Sequence, residues 1–528
     1  MVTGDDTAHR SDAPATLLDH VSRSMFWNTI LLPLVTLCNA VNSIVIRRGF
    51  GLRSGAYDIA LGLSNTLLFY SSAGIPTSLT KFLPERESAG GRRAVESFLW
   101  QAGTARLLLL VTILVPANLA AAPLAERLLL GSDGAVYIHL VSLLVIARTL
   151  LELSLQTLHA FLRQLSVNLL TATQAALDPA LIGLSLWLGY GIGGVIIALL
   201  ASTTTIATIA GLRVVHTLRT LPAEATPSAT ARRSLFRDRG FWRFAAFTYV
   251  YELSLYFGGP DFCRTVLGAA LGDPAQVALF AVAFYFALMV VVLMVSSFRG
   301  VYRPMFARLR VQGDREQLRR AFSAVSKVQV GLLLPAAVGL EVMLPDYIPL
   351  LYGRAFAPAV PVARLLVVFL FTETAFNLGS IVLSIDERYR PVLLAQTVLA
   401  ASAPLFLWSA SRGGLIPAVI VLGSARVAAV LIGYAVARRR YGVRFPWAFA
   451  ARLSAVGAAM GAVLALGRAL LPPSLGEAVL LTLGGVVVYA VGIRVGRVLG
   501  SEEADLLRRT RLPGQRWIVG WLLPATGH

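Results

Sequence analysis

Ten charged residues stand in or beside apolar runs: Arg106, Arg148, Glu152, Asp178, Glu252, Asp261, Arg264, Glu341, Glu373 and Arg426. At the centre of a helix in hydrocarbon, each charge costs about 2.5–3.5 kcal/mol on insertion scales. Such groups therefore face a partner or a wet interior. Ten is too many for a passive anchor. Two kinds of chemistry are on offer. Carboxylates can hold protons or cations, and guanidinium groups can hold anions.

The acids come first. Asp178 precedes Pro179 within an apolar run. A buried acid at a helix break is a candidate proton or cation site, and a bond to a neighbouring helix accounts for it as well. Glu252 shares a helical face with Tyr249 and Tyr256. An acid beside tyrosines suits sugar hydroxyls or a proton relay, and a satisfied buried acid is the alternative. Asp261 and Arg264 follow Gly258-Gly259-Pro260, which should break or kink the helix and free backbone carbonyls. The break serves either as a hinge or gate or as ordinary kinked packing. Asp178, Glu252 and Asp261 are the ion-coupling candidates. Arg148 and Glu152 stand four apart and are expected to pair.

Neutral polar residues form stripes. Thr29, Thr36, Asn39 and Ser43 share a face of the first apolar segment, with Asn42 adjacent. Asn65, Ser71, Ser72 and Thr77 lie in the second. They either line a pathway or glue helices together. Arg47, Arg48 and Arg53 cluster where the first segment ends. They suit either a diphosphate, through charge-assisted bonds, or outer headgroups. The candidate substrate contacts are Asn39, Asn42, Arg47, Arg48, Arg106, Gln174, Tyr249, Tyr256, Arg264 and Gln396. Cys38 and Cys263 fall within apolar runs. No metal-ligand spacing and no G-x-x-x-x-G-K loop is present, so no metal, cofactor or ATP hydrolysis is expected.

The elements that position these residues are apolar helices. Of the 528 residues 56% are hydrophobic and only 14% charged, which makes the bilayer the expected solvent. Fourteen segments are long enough to span, from 25–46 to 477–498. The second is expected at 58–80, the seventh at 241–267 and the tenth at 358–385. Residues 1–24 lack a small-residue cleavage site, so a retained first helix is expected.

The net charge of +19 is almost all arginine; Lys81 and Lys327 are the lysines. Its clusters sit in short loops between apolar runs, which argues against nucleic acid and for topology and anionic lipid headgroups. With the N-terminus inside, inner loops and tails hold about 35 Lys/Arg and outer loops about 8. Both termini are therefore expected in the cytoplasm.

The chain also repeats itself. Residues 54–98 are answered by 275–323, each an apolar run opened by an aromatic (Tyr57, Phe280) and closed by a cationic segment with an Arg pair. Leu128 onward is answered by Leu350 onward, and Gln174 by Gln396. Repeats of this length in membrane segments suggest two lobes around a shared cavity. The expected order is a tail (1–24), an N-lobe of six helices (25–215), a basic linker (216–240) and a C-lobe of six (241–437). Two further helices (438–498) and a cytoplasmic tail (499–528) follow.

The Gly-x-Tyr of Gly55–Tyr57, the Gly-Ile-Pro at Gly74 and Lys-Phe-Leu-Pro-Glu at Lys81 carry a family resemblance. So does Leu-Leu-Tyr-Gly at Leu350. The chain resembles the oligosaccharide flippases of the multidrug/oligosaccharidyl-lipid/polysaccharide (MOP) exporter superfamily. The resemblance implies an all-α membrane protein with alternating access. It implies transport, not catalysis, of a lipid-linked oligosaccharide across a bacterial cytoplasmic membrane. The energy source is either the membrane potential or H+ or Na+ coupling. Membrane lipids, a polysaccharide polymerase and glycosyltransferases are the implied partners. A cation-coupled multidrug exporter of the same superfamily is the alternative.

Overall fold

Glycine and proline decide where the first helices end. The computed structural model describes residues 13–221, 234–311, 314–385, 389–496 and 498. Residues 1–12 of the N-terminal tail, 222–233 of the expected linker and the C-terminal tail lie outside the described residues. Helix α1 (Ala13–Phe50) leads through a 3-10 turn (Gly51–Arg53) into α2 (Ser54–Tyr70). The expected second span, 58–80, does not run through. It breaks after Tyr70, where Ala73 and Gly74 take φ of 45° and 71°. Pro76, in the first turn of α3 (Ile75–Leu119), starts a new helix where its missing N–H is harmless. Gly74 is also in close contact: a Cβ there would lie 2.1 Å from the Ala245 carbonyl oxygen. The Gly-Ile-Pro motif is thus a helix stop, a tight contact and a helix start in one. In the second copy no such break occurs, and the corresponding helix runs unbroken.

Helix α3 bends at Gly90 and Gly91, which leave helical geometry. Then come α4 (Ala121–Arg127), α5 (Gly134–Ala160), α6 (Gln164–Trp187) and α7 (Ile192–Arg219). The expected seventh span, 241–267, is two helices, α8 (Arg239–Phe257) and α9 (Pro260–Leu271), parted at Gly258-Gly259 as those glycines and Pro260 predict. The second copy of the repeat lies in α10 (Pro274–Val311) and the start of α11 (Arg315–Tyr352). The expected tenth span divides into α12 (Val360–Phe376) and α13 (Leu378–Ile385). The rest are α14 (Tyr389–Gly413), α15 (Leu415–Tyr441), α16 (Trp447–Leu470) and α17 (Leu475–Val495). Among the described residues there is no β-strand.

Eleven helices among the described residues are long and apolar enough to cross a membrane. Of the fourteen expected segments, those in α1, α2 and α8 fall outside that set. Helix α2 has 17 residues, and α8 is polar at its start and cut short by the glycines. The protein is a multi-pass membrane protein.

The chain packs as two compact units. The first comprises Met1–Val45, Ser64–Ala125 and Ser132–Val250; the second comprises Ile46–Leu63, Glu126–Gly131 and Tyr251–His528. Within the first, α7 packs on α5 and α6, and α5 on α3. Within the second, α15 packs on α12 and α14, and α12 on α11. These are the pairs that the sequence repeat makes equivalent. In the first unit Asp238 ties the start of α8 down. Its carboxylate accepts from the backbone of Gly240 and Phe241 and pairs with buried Arg86 at 2.8 Å. In the second, α16 packs on α11 and α17 on both. Only 17% of the apolar stretch of α17 is buried. The helix starts with a capping box between Ser474 and Glu477. It is then held to α11 by Thr482 on Tyr347 and by Tyr489, which donates to the Gly331 carbonyl at 2.8 Å.

Gly74→Ala would place a side chain at left-handed φ, costing about 1–2 kcal/mol, and drive its Cβ into the Ala245 carbonyl. Gly131 has φ +82° with nothing within 4 Å of a built Cβ, so Gly131→Ala carries the backbone cost alone. We expect Gly74→Ala to lower the thermal midpoint of the purified protein further than Gly131→Ala does. Equal midpoints would show that the α3–α8 approach is not tight.

Candidate functional site

Ionised groups in the second unit gather where α1 ends and α2 begins. Arg47, near the end of α1, is buried and pairs with Asp58 of α2 at 2.7 Å. Asp58, only 1% exposed, also lies 3.8 Å from Arg264 of α9. Arg264 pairs with Asp261 at 2.5 Å and donates to the Tyr285 hydroxyl of α10. Two arginines and two acids thus balance in one cluster, in which Arg47, Asp58 and Arg264 are buried and Asp261 is half-buried. The balance of hydrogen bonds is incomplete. Arg47 Nε and Nη1 and Asp58 Oδ2 are buried with no partner among the described residues. Arg48, the neighbour of Arg47, is exposed and does something else. Its guanidinium donates to the carbonyls of Leu350 and, at 2.9 Å, Leu351, in the last turn of α11. A cation there meets the negative end of the helix.

The first unit holds a second set. Arg106 of α3 is fully buried and donates to Glu152 of α5 and to the Leu68 carbonyl of α2, each at 3.0 Å. Glu152 was expected to pair with Arg148; the structure gives it Arg106. Arg148 reaches α2 instead, donating to Asn65 at 2.5 Å and Ser64 at 3.3 Å. Asp178 of α6 accepts from the Ser202 hydroxyl of α7. One turn away, Gln174 makes a long bond of 3.4 Å to Thr203 of α7. Tyr249 stacks on Phe69 with ring centroids 5.5 Å apart. Asn39 is exposed, and Asn42 is half-buried with its Oδ1 lacking a partner among the described residues.

The remaining candidates lie in the second unit. Glu252 is half-buried on α8, and Tyr256 meets Phe262 edge-on at 5.8 Å. Gln396 of α14 carries a buried Oε1 without a partner among the described residues. Arg426 of α15 forks onto Glu373 of α12 at 2.7 and 3.1 Å. Its third donor takes the Gly258 carbonyl, which the break between α8 and α9 leaves open. The same device occurs in each unit. An acid on α5 or α12 holds an arginine, and that arginine also takes a backbone carbonyl next to a helix break. Glu373 stands one position from the repeat counterpart of Glu152, yet its arginine arrives from α15, which is not the counterpart of α3.

The family described as polysaccharide biosynthesis protein matches residues 107–361. Among solved structures, the lipid II flippase MurJ in an inward closed conformation aligns with a TM-score of 0.69 at 14% identity. The alignment covers 90% of this chain and 98% of that one. An inward-facing multidrug resistance MATE family transporter of the MOP superfamily aligns with a TM-score of 0.62 at 16% identity, over 77% and 94%. A MOP superfamily transporter from Pyrococcus furiosus aligns at 0.51 and 16% identity, over 80% and 95%. The chain shares the fold of these flippases and transporters. Among curated proteins none matches.

One charged residue of the cluster where α1 meets α2 escaped sequence reasoning. Asp58 follows Tyr57 at the edge of an apolar run, where an acid reads as a helix boundary. The signal was its counterpart: Phe280 answers Tyr57, and uncharged Ala281 answers Asp58. An acid kept in one copy alone marks a specific partner, here Arg47 and Arg264. Glu373 and Arg426 were visible singly, but 53 residues separate them and no local spacing pairs them.

Removing one partner of a fully buried ion pair costs about 3–5 kcal/mol, because the survivor keeps its charge without a counterion. Arg426 and Glu373 are partly exposed, at 16% and 22%, so the cost here is smaller. We expect Glu373→Met and Arg426→Met each to lower the thermal midpoint, and the double variant to lower it by less than the two effects combined. Strict additivity would show that the two side chains do not act as a pair.

Proposed function

We propose that this protein is a flippase that carries the head of a lipid-linked oligosaccharide across the bacterial cytoplasmic membrane by alternating access, for cell-surface polysaccharide assembly. It is a transporter rather than an enzyme in this reading. The observation that carries it is the match to the polysaccharide biosynthesis family across residues 107–361. A polyprenyl tail is at home in hydrocarbon, whereas a sugar–diphosphate head is not. The protein needs to lower the barrier for the head alone.

The chain has groups suited to that head. Asn42 Oδ1 and Gln396 Oε1 are buried acceptors without a protein partner among the described residues, and Arg47 Nε and Nη1 are buried donors in the same condition. A buried group left unpaired costs about 1–3 kcal/mol. Sugar hydroxyls can donate to the acceptors, and phosphate oxygens can accept from the donors. Arg48, Arg106 and Arg264 already have protein acceptors, so they fit a role in shaping the route better than first contact with the substrate.

With the cell interior negative, each negative charge moved outward gains about 2.3 kcal/mol per 100 mV. A diphosphate head could therefore leave without ATP. The second reading, cation-coupled export of drugs, is favoured by Asp178, an acid bonded to Ser202 beside Pro179. Partners in the first reading are membrane lipids, glycosyltransferases that build the substrate and a polymerase that consumes it. Both termini then face the cytoplasm.

The test is flipping of a fluorescent lipid-linked oligosaccharide by the purified protein in vesicles. We expect flipping that speeds up with an inside-negative potential and slows in Asn42→Ala and Gln396→Ala. Flipping that persists at zero voltage but stops without a cation gradient would sink the potential-driven version. Export of cationic dyes with no movement of the lipid-linked sugar would overturn the whole reading.

A further inference from the structure

Three membrane-length helices of the second unit, α11, α15 and α16, meet at one junction. Arg319, near the start of α11, donates from Nε to the Tyr441 carbonyl at the end of α15, at 3.0 Å. The last turn of α15 carries Arg438, Arg439 and Arg440, all exposed. Gly442, with φ +69°, ends the helix. The connector to α16 then alternates: Val443 and Phe445 turn inward and are buried, while Arg444 between them is exposed. Phe445 packs on Phe376 at 4.7 Å and fixes the strip in place. Trp447, the first residue of α16, is 62% exposed. Glu316 offsets part of the charge at Arg319, at 3.6 Å.

We propose that this junction binds the headgroups of anionic phospholipids. Each feature fits that partner. Four exposed guanidinium groups on a short, rigid strip supply charge and forked donors for phosphodiester oxygens. An exposed indole at the first turn of a spanning helix belongs at headgroup depth. The three helices place the arginines where their apolar segments end, which is where lipid phosphates lie. A soluble acidic protein would match the charge but would leave Trp447 and the adjoining apolar faces unexplained.

The test titrates phosphatidylglycerol or phosphatidylcholine into the delipidated full-length protein and follows the thermal midpoint. An arginine near an anionic surface is worth roughly fivefold in affinity, so three are worth on the order of 100-fold. The triple variant R438Q/R439Q/R440Q should need about that much more phosphatidylglycerol for half of the stabilisation. Phosphatidylcholine should stabilise the native protein and the variant alike. The control triple R163Q/R213Q/R219Q, exposed arginines of the first unit, should behave as the native protein does. If the first triple does not fold, Arg444→Gln should show the single-residue effect. Equal losses in both triples would mean diffuse charge and overturn the proposal, as would an unchanged response of the first triple and of Arg444→Gln. Stabilisation by soluble polyglutamate but not by phosphatidylglycerol would point to a protein partner and overturn it as well.

Discussion

An ionised side chain in hydrocarbon needs an oxygen acceptor supplied by the protein, and that requirement shapes this molecule. Arg47, Arg106, Arg148, Arg264 and Arg426 each meet it, on Asp58, Glu152, Asn65, Asp261 and Glu373. Four of the five acceptors are acids. Arg264 and Asp261 share α9, but the bonds of Arg106, Arg148 and Arg426 join helices distant in sequence, where apolar contact alone would otherwise hold the packing. Between helices in lipid that contact is weak, since hydrocarbon tails compete on equal terms.

The two units solve the problem by related means. Glutamates at nearly equivalent repeat positions each take an arginine, and each arginine also takes a carbonyl at the end of an interrupted helix. A helix break frees backbone groups that lipid cannot satisfy. A guanidinium has donors for both tasks, an acid and a carbonyl, and lysine lacks its planar fork. The arginines come from non-equivalent helices, so the parallel lies in the chemical need rather than in copied residues. The helix breaks themselves differ, since Gly74 interrupts the first copy of the repeat and α10 runs on without a stop.

Sequence reasoning found the all-α membrane class, the repeat and the break at Gly258-Gly259, because apolar length, self-similarity and glycine–proline pairs are local signals. The stop at Gly74 was also local. It was passed over because hydropathy continues across Ser71 and Ser72, and hydropathy is blind to left-handed backbone. The charges were visible one by one, and their partners were not. Arg148 and Glu152 share a helix, so spacing favoured their pairing; helix packing brought Arg106 to Glu152 instead. Arg47 and Arg48 read alike as neighbours, yet the rotation of about 100° between successive helical residues sends the first inward to Asp58 and the second to the end of α11. Rotation about a helix axis is set by packing, which a single sequence does not display.

Helix α17 shows how unevenly such a chain is constrained. Most of its apolar stretch faces away from protein, and its tethers are a capped start, Thr482 and Tyr489. Lipid does not distinguish valine from leucine or isoleucine by shape. Across related chains the outward positions of this helix are therefore free to drift among aliphatic residues, while the tethering positions change slowly. Its sequence history would then look like that of a loosely conserved appendage even if the helix were indispensable.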